Sequence, residues 1–451
     1  MKPRRAPGDH SIELPQIEAT PVEPVLAAAF LAAHGWRRTP LAERSALVWS
    51  ARERIEEARE SLERGIAMET GKPLTEARGE LGAVLAKFEL AIEDAREHLV
   101  PAAIPGGPHP AMVRQCARGP AAVIAPFNFP IHLGHGALLA YLLAGNPVIF
   151  KPSPQAAGVA GEYARLMESA FPHGVFNLVQ GGAEEGMAIA VDSRVRAVCF
   201  TGSLSAGRSL AQALAGDFSK DLALELGGRN AAIVCEDADL DLAAKAIAEG
   251  ACLTCGQRCN ATSRVLVEKS VAPELTDLLV EHLRRFCPGD PLRPETTLGP
   301  LIDSRAVERY TDSLESKGEW IVPGAAVGEA DGKRGYYVKP ALRRGRASLE
   351  SELFIPVIDL EVVQDPDEAV SLHNASPFGL SASVFTRSEA RFLRMADELA
   401  AANIYSNLPT TFSPSTLPFG GWGLSGNGRP GGRKFIRFTT REQALQFGGG
   451  F

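Results

Sequence analysis

The sequence predicts an α/β protein with more than one domain, and two observations predict it. Past residue 110, short runs rich in β-branched and aromatic residues alternate with segments of helical spacing, the pattern of parallel strands joined by crossover helices. The chain is also 451 residues long and 45% hydrophobic, enough for roughly two to four cores at about 150 residues per domain.

Helices open the chain. Leu41 to His98 is rich in Ala, Glu, Arg and Leu at helical spacing, interrupted by Gly71 and Pro73, which predicts two long helices. The Pro/Gly stretch PAAIPGGPHP (101–110) ends this region. Four β-rich runs follow, AAVIAPF, PVIFKP, VFNLVQ and AVCFTG, separated by the helical segments LGHGALLAYLLAG, AGVAGEYARLMESAF and EEGMAIAVDS. A second α/β block begins near residue 229 with AAIVCE, the helix LDLAAKAIAEGAC, the strand SRVLVEK and the helix PELTDLLVEHLRRF. IPVIDLEVV, DPDEAVSLHN and SASVFT continue it to about residue 416. The tail after Pro418 is Gly-rich and then alternating, and reads as an extended arm returning to another domain or subunit.

Composition excludes several classes of function. A formal net charge of −7 gives no basic footprint for nucleic acid. The opening segment MKPRRAPGDHSIELPQ runs into polar residues instead of an apolar stretch, so it does not read as a signal peptide. The apolar stretch 131–150 is interrupted by His132, His135, Asn146 and Pro147, so no membrane span is expected and the expected location is the cytoplasm.

CLTCGQRC (252–259) poses the chemical question, because three cysteines in eight positions suit a metal cage, a disulfide or a nucleophile. Seven cysteines without a secretory signal point to reduced thiols. The spacing C-x2-C-x3-C supplies only three sulfurs, and no paired CxxC follows. Cys259, flanked by Gly256 and Arg258, is the best placed of the three to be a reactive thiolate. Read locally, a small buried hydrophobe is the better reading of Cys259.

The wider pattern decides between these. PFNFP, FKPS, FTGS, ELGG, GQRC, LGPLID, ELFIPV and PFGG occur in this order, and the chain carrying them resembles the NAD(P)-dependent aldehyde dehydrogenase superfamily over most of its length. The resemblance implies a Rossmann-type cofactor domain (1–107 and 120–228), an α/β catalytic domain (229–418) and a small β oligomerisation arm (108–119 and 431–447). It implies a small-molecule aldehyde as substrate and a homodimer or homotetramer as the assembly.

Carried over residue by residue, Cys259 resembles the thiol that attacks the aldehyde carbon, and Glu225 the base that activates water against the resulting thioester. Asn128 resembles the side-chain donor to the oxyanion. An apolar setting such as LALEL would raise the pKa of Glu225 toward the operating pH. Lys151 and Ser153 resemble contacts to the adenosine ribose. Gly202, Ser203 and Gly207 resemble the diphosphate-holding strand-to-helix turn. Phe127, Glu352 and Phe354 complete the implied cofactor set around the nicotinamide. Arg258 and Phe419 are the implied substrate-side residues, with Arg429 a further carboxylate clamp. The implied cofactor is NAD. Pro154 stands where relatives carry a ribose-binding acid, which admits NADP as well.

Other departures are Leu204, Ser205 and Ile355, which are expected to reshape the cofactor cleft. The region before the first helices is short for the family, implying that a preceding strand pair is missing. PFGGWGLSGNGRP resembles the branch of the family that acts on a succinylated glutamate semialdehyde.

Overall fold

The computed structural model describes residues 4–345 and 349–448; residues 1–3 of the expected first domain lie outside that range. Two parallel-type sheets carry the architecture. The first has six strands in the order Gly426–Asn427, Asp221–Glu225, Ala197–Thr201, Ala121–Ile124, Val148–Lys151, Phe176–Leu178. All neighbours run parallel except the short C-terminal Gly426–Asn427, which pairs antiparallel with Glu225 and Leu224. Numbered along the chain, the five parallel strands lie in the order 5-4-1-2-3. The winding reverses between Ala121–Ile124 and Ala197–Thr201, and a crevice opens there at the carboxyl ends of the strands.

These strands form where the sequence offers short, near-continuous apolar runs. Val148–Lys151 and Ala197–Thr201 are buried on both faces, as parallel strands covered by helices must be. Helices His132–Leu143, Ala157–Glu168 and Ala183–Val191 make the crossovers, as their helical spacing predicts.

The second sheet has seven strands in the order Glu319–Val322, Ala341–Arg344, Val357–Val363, Thr262–Glu268, Asn230–Val234, Ser381–Phe385, Asn403–Ser406. Only the Glu319–Val322 edge is antiparallel. A separate core packs around this sheet, with Leu266 and Val384 fully buried on one face and Val265 and Val267 on the other.

Several elements differ from the sequence expectation. Three helices, Leu41–Glu57, Arg59–Thr70 and Leu74–His98, stand where two were expected. Ala58 breaks the first (φ −91, ψ 11) with neither Gly nor Pro to mark it. Gly71 ends the second in the left-handed region (φ 76), where a side chain would also strike Pro300 at 2.6 Å. Helix Val22–Trp36 precedes them, and the N-terminal ribbon expected to be missing is present as Arg5–Ala6 paired with Asp9–Glu13.

A third sheet joins Ala102–Ile104, Ala111–Ala117 and Thr440–Gln446, all antiparallel. The tail therefore returns as an alternating strand. It also recruits Ala102–Ile104, which the sequence reading left with the first domain. Among the described residues, no helix is long and apolar enough to cross a membrane.

Candidate active site

A cleft of about 670 Å³ opens at the winding reversal of the first sheet. Lys151, Ser153, Gly202 and Ser203 line one wall, and Glu225, Cys259, Glu352 and Phe354 line the other end. Asn128 and Phe127 also border it. The structure thus brings together residues scattered from 127 to 354 in the chain.

Each residue is placed by an element end. Asn128 follows strand Ala121–Ile124, Lys151 closes Val148–Lys151, Ser203 caps helix Leu204–Leu214, and Glu225 closes Asp221–Glu225. From Glu225 the chain crosses through Gly227 and Gly228 to open the second sheet at Asn230. Cys259 lies just before strand Thr262–Glu268, next to Asn230–Val234, so thiol and carboxylate meet where the two sheets join. Asn230 fixes the join: its Nδ2 donates to the Cys259 carbonyl (2.9 Å) and the Ala261 carbonyl (3.0 Å).

Glu225 is buried, and neither of its carboxylate oxygens has a geometrically sound hydrogen-bond partner among the described residues. Burial pushes its pKa up to about 7, with contact to the Cys259 thiol partly opposing the rise. Burial likewise holds the Cys259 thiol well above its ordinary pKa, reinforced by the charge of Glu225. Asn128 is buried and donates one N–H to the Gln257 carbonyl at 2.8 Å. An amide has two such donors, so one is left to turn to a ligand.

The remaining walls suit a dinucleotide. Burial lowers Lys151 to about 8, while Glu185 opposes the shift. At Gly202 a side chain would strike the Phe200 ring at 2.6 Å, and at Gly207 it would strike Leu226 at 2.7 Å, so the turn and the helix behind it need glycine. Ser203 accepts from the Ala206 N–H and opens the helix toward the cleft. Ser153 accepts from Gln155 in the short turn after Lys151. Glu352 is pushed up to about 8, chiefly by burial; the Gly228 N–H opposes this and Glu225 adds to it. A side chain at Gly227 would sit 2.0 Å from the Glu352 carboxylate, so glycine leaves that carboxylate its place. Phe354 takes a left-handed backbone (φ 57) and meets Phe127 edge to face at 6.1 Å.

Other predicted residues are placed differently. Arg258 donates to Glu76 at 2.7 Å and to the Thr254 hydroxyl at 3.0 Å, and stacks over Phe129 at 5.0 Å. Arg429 Nη2 is held by the carbonyls of Ala402 and Pro418 and by Asn403, within the fold. Phe419 borders a second cavity of about 440 Å³ with Tyr405, Phe412 and Arg429. Tyr405 there is within electrostatic reach of Cys259. Ile355 is buried in the core of the second sheet, whereas Ser205 is exposed and pairs with Ser203. Cys252 and Cys255 are buried in that same core, and all seven cysteines are free thiols.

Sequence reasoning missed Arg309, which lines the cleft from helix Ser304–Leu314, and Glu185 beside Lys151. Neither carries a local signal. Asn230 did carry one, as the lone polar residue opening the apolar run NAAIV.

A family model described as the aldehyde dehydrogenase family matches residues 3–445. The chain is 37% identical over 405 residues to N-succinylglutamate 5-semialdehyde dehydrogenase 1 of Caulobacter vibrioides, covering 88% of this chain and 85% of that protein. Among solved structures, an NAD-dependent aldehyde dehydrogenase from Sinorhizobium meliloti superposes with TM-score 0.93 at 31% identity, covering 99% of this chain and 91% of the other. A glyceraldehyde-3-phosphate dehydrogenase from Methanocaldococcus jannaschii complexed with NADP superposes with TM-score 0.91 at 27% identity, covering 99% and 100%.

Proposed function

Because the chain belongs to the aldehyde dehydrogenase family of NAD(P)-dependent oxidoreductases, we propose that it oxidises N-succinylglutamate 5-semialdehyde to the carboxylate through a covalent intermediate on Cys259. The observation that carries the reading is a thiol facing a buried, unpaired carboxylate at one end of a cleft whose walls suit a dinucleotide.

Glu225 takes the thiol proton, and the Cys259 sulfur attacks the aldehyde carbon. Asn128 turns its second N–H to the oxyanion that forms. The nicotinamide, when bound, supplies the hydride acceptor, leaving an acyl group on Cys259. Glu225 releases the thiol proton to solvent, and as the regenerated carboxylate it removes a proton from water as the water oxygen attacks the acyl carbon. Cys259 leaves as thiolate, and the carboxylate product departs. Lys151, Ser153 and the Gly202–Ser203 turn hold the dinucleotide, and Glu352 with Phe354 orients its nicotinamide end. NAD is the proposed cofactor, and Pro154, which places no carboxylate at the adenosine ribose, leaves room for NADP.

The substrate assignment is supported by the relatives named for it at 34–37% identity and by the segment PFGGWGLSGNGRP. Arg258 is paired with Glu76 through Nη2 and bonded to Thr254 through Nε, which leaves Nη1 for the proposed contact with a substrate carboxylate. Phe419 lines the proposed acyl side. The three-stranded sheet 102–104, 111–117 and 440–446 is the proposed contact with a second copy, and light scattering is expected to give a dimer or tetramer mass.

Initial rates at 340 nm with NAD and NADP test the proposal against N-succinylglutamate semialdehyde, succinic semialdehyde and aliphatic aldehydes. Selectivity for the first is expected; activity confined to the others removes the substrate assignment. Turnover retained by a folded Cys259→Ala variant removes the mechanism.

A further inference from the structure

Thr254, Cys255 and Gly256, which lead into Cys259, form a complete left-handed turn with φ values of 54, 54 and 70. For Thr, a β-branched residue, this backbone is a marked outlier and needs external support. Glu76 supplies it. Its carboxylate accepts from the Thr254 N–H (3.0 and 3.1 Å), the Thr254 hydroxyl (2.8 Å) and Arg258 (2.7 Å). Glu76 lies in the first turn of helix Leu74–His98.

One helical turn further along, on the same face, Glu80 holds the other loop of the site. Its Oε1 accepts from the N–H groups of Ile131 and His132 (3.2 Å each), capping helix His132–Leu143, which has no cap of its own. Its Oε2 accepts from buried Lys72 at 2.5 Å. Lys72 Nζ sits 3.6 Å from the centre of the Phe129 ring, beside Asn128. Arg258 is over that ring too, so Phe129 is shared by the cation of each loop.

We infer that the first two turns of helix Leu74–His98 position both catalytic loops, Glu76 holding the strained turn that aims Cys259 and Glu80 holding the loop that aims Asn128. The inference rests on the roles proposed above for Cys259 and Asn128. Glu76 and Glu80 touch no reacting atom; they are positioning residues.

The variants E76Q, E80Q and E76Q/T254G are compared for kcat, cofactor Kd by fluorescence, thermal unfolding and the rate of Cys259 alkylation by iodoacetamide, read by mass spectrometry of its peptide. E76Q is expected to lower kcat about 10- to 100-fold, the scale of a misplaced reacting group, to change the alkylation rate and to leave cofactor Kd unaltered. Glycine occupies the left-handed region freely, so E76Q/T254G is expected to recover both kcat and alkylation. E80Q is expected to lower kcat while Cys259 alkylates at the wild-type rate. A folded E76Q with wild-type kcat and alkylation overturns the inference, as does failure of T254G to rescue, or an E80Q that alters alkylation as E76Q does. Should E76Q not fold, recovery of folding in E76Q/T254G supports the inference and non-recovery overturns it. Turnover in Cys259→Ala would sink the catalytic reading instead, and the alkylation arm stays readable then because it uses neither aldehyde nor cofactor.

Discussion

Glu225 combines deep burial with no conventional hydrogen-bond partner, and its behaviour with pH follows from that. A base works only when ionised, so thioester hydrolysis is expected to rise with pH through about 7, the value to which burial lifts this carboxyl. Glu225→Gln should flatten that limb and lower kcat by about 10²- to 10⁴-fold in steady-state pH profiles. Stability moves the other way. Between the ordinary value of 4.5 and about 7 the folded protein keeps a proton that the unfolded chain has lost. Stability therefore falls as pH rises through that window, and the penalty is complete above it. Calorimetry should find Glu225→Gln more stable than wild type above pH 8, by at most about 3 kcal/mol, with no gain near pH 4. Glu225 and Cys259 were singled out in the sequence by the ordered series of motifs along the chain, since neither stands out from its local sequence alone. Glu76 was not, because it meets Thr254 across 178 positions of chain and looks like any exposed acid on an amphipathic helix.

At the scale of elements, the join between the sheets depends on the absence of a side chain. A methyl group at Gly227 would overlap the Glu352 carboxylate. Gly227→Ala is expected to fold, since the clash meets a side-chain end, but to raise KM for the dinucleotide about 10-fold or more by displacing Glu352. Unchanged KM with an unchanged circular dichroism spectrum would remove Glu352 from the cofactor set. Asp359, fully buried between Arg229 (2.9 Å) and Arg343 (2.6 Å), ties the same region to the second sheet. Asp359→Ala leaves two buried guanidinium groups without their carboxylate and should cost about 3–5 kcal/mol by denaturant titration. Eight parallel strands of the two sheets were legible because apolar runs and helical spacing alternate cleanly, whereas Asp221–Glu225, Ala341–Arg344 and Asn403–Ser406 were not read as strands. The break at Ala58 was not, because nothing in its side chain opposes a helix. Ser304–Leu314 and Glu389–Glu398 are mostly solvent-facing and poor in apolar residues, and their amphipathic spacing was passed over in the sequence reading.

The cleft draws its walls from both sheets, with Lys151 and Ser203 from one and Cys259 and Glu352 from the other. A dinucleotide bound there links the two cores. Saturation at 100 times Kd should add about 2.7 kcal/mol of stability and move thermal unfolding upward as one transition. Two separately shifting transitions would show that the cores unfold independently. The return of the tail was legible as alternation, but its clip onto the first sheet was not. SGN carries no strand pattern, and Gly426 is needed because a side chain there would strike the Leu224 carbonyl at 2.1 Å.

That clip has a consequence for biosynthesis. Strand Asp221–Glu225, which ends in the proposed base, is flanked on its outer side among the described residues only by Gly426–Asn427, and Leu224 bonds to Asn427 across 203 residues. On a ribosome adding roughly 5–20 residues per second, that edge stays open for on the order of 10–40 s. Every nascent chain thus carries an unpaired edge beside an unfinished site for nearly half of its synthesis, and a stop codon anywhere between 226 and 426 releases a chain whose proposed base was never locked in place.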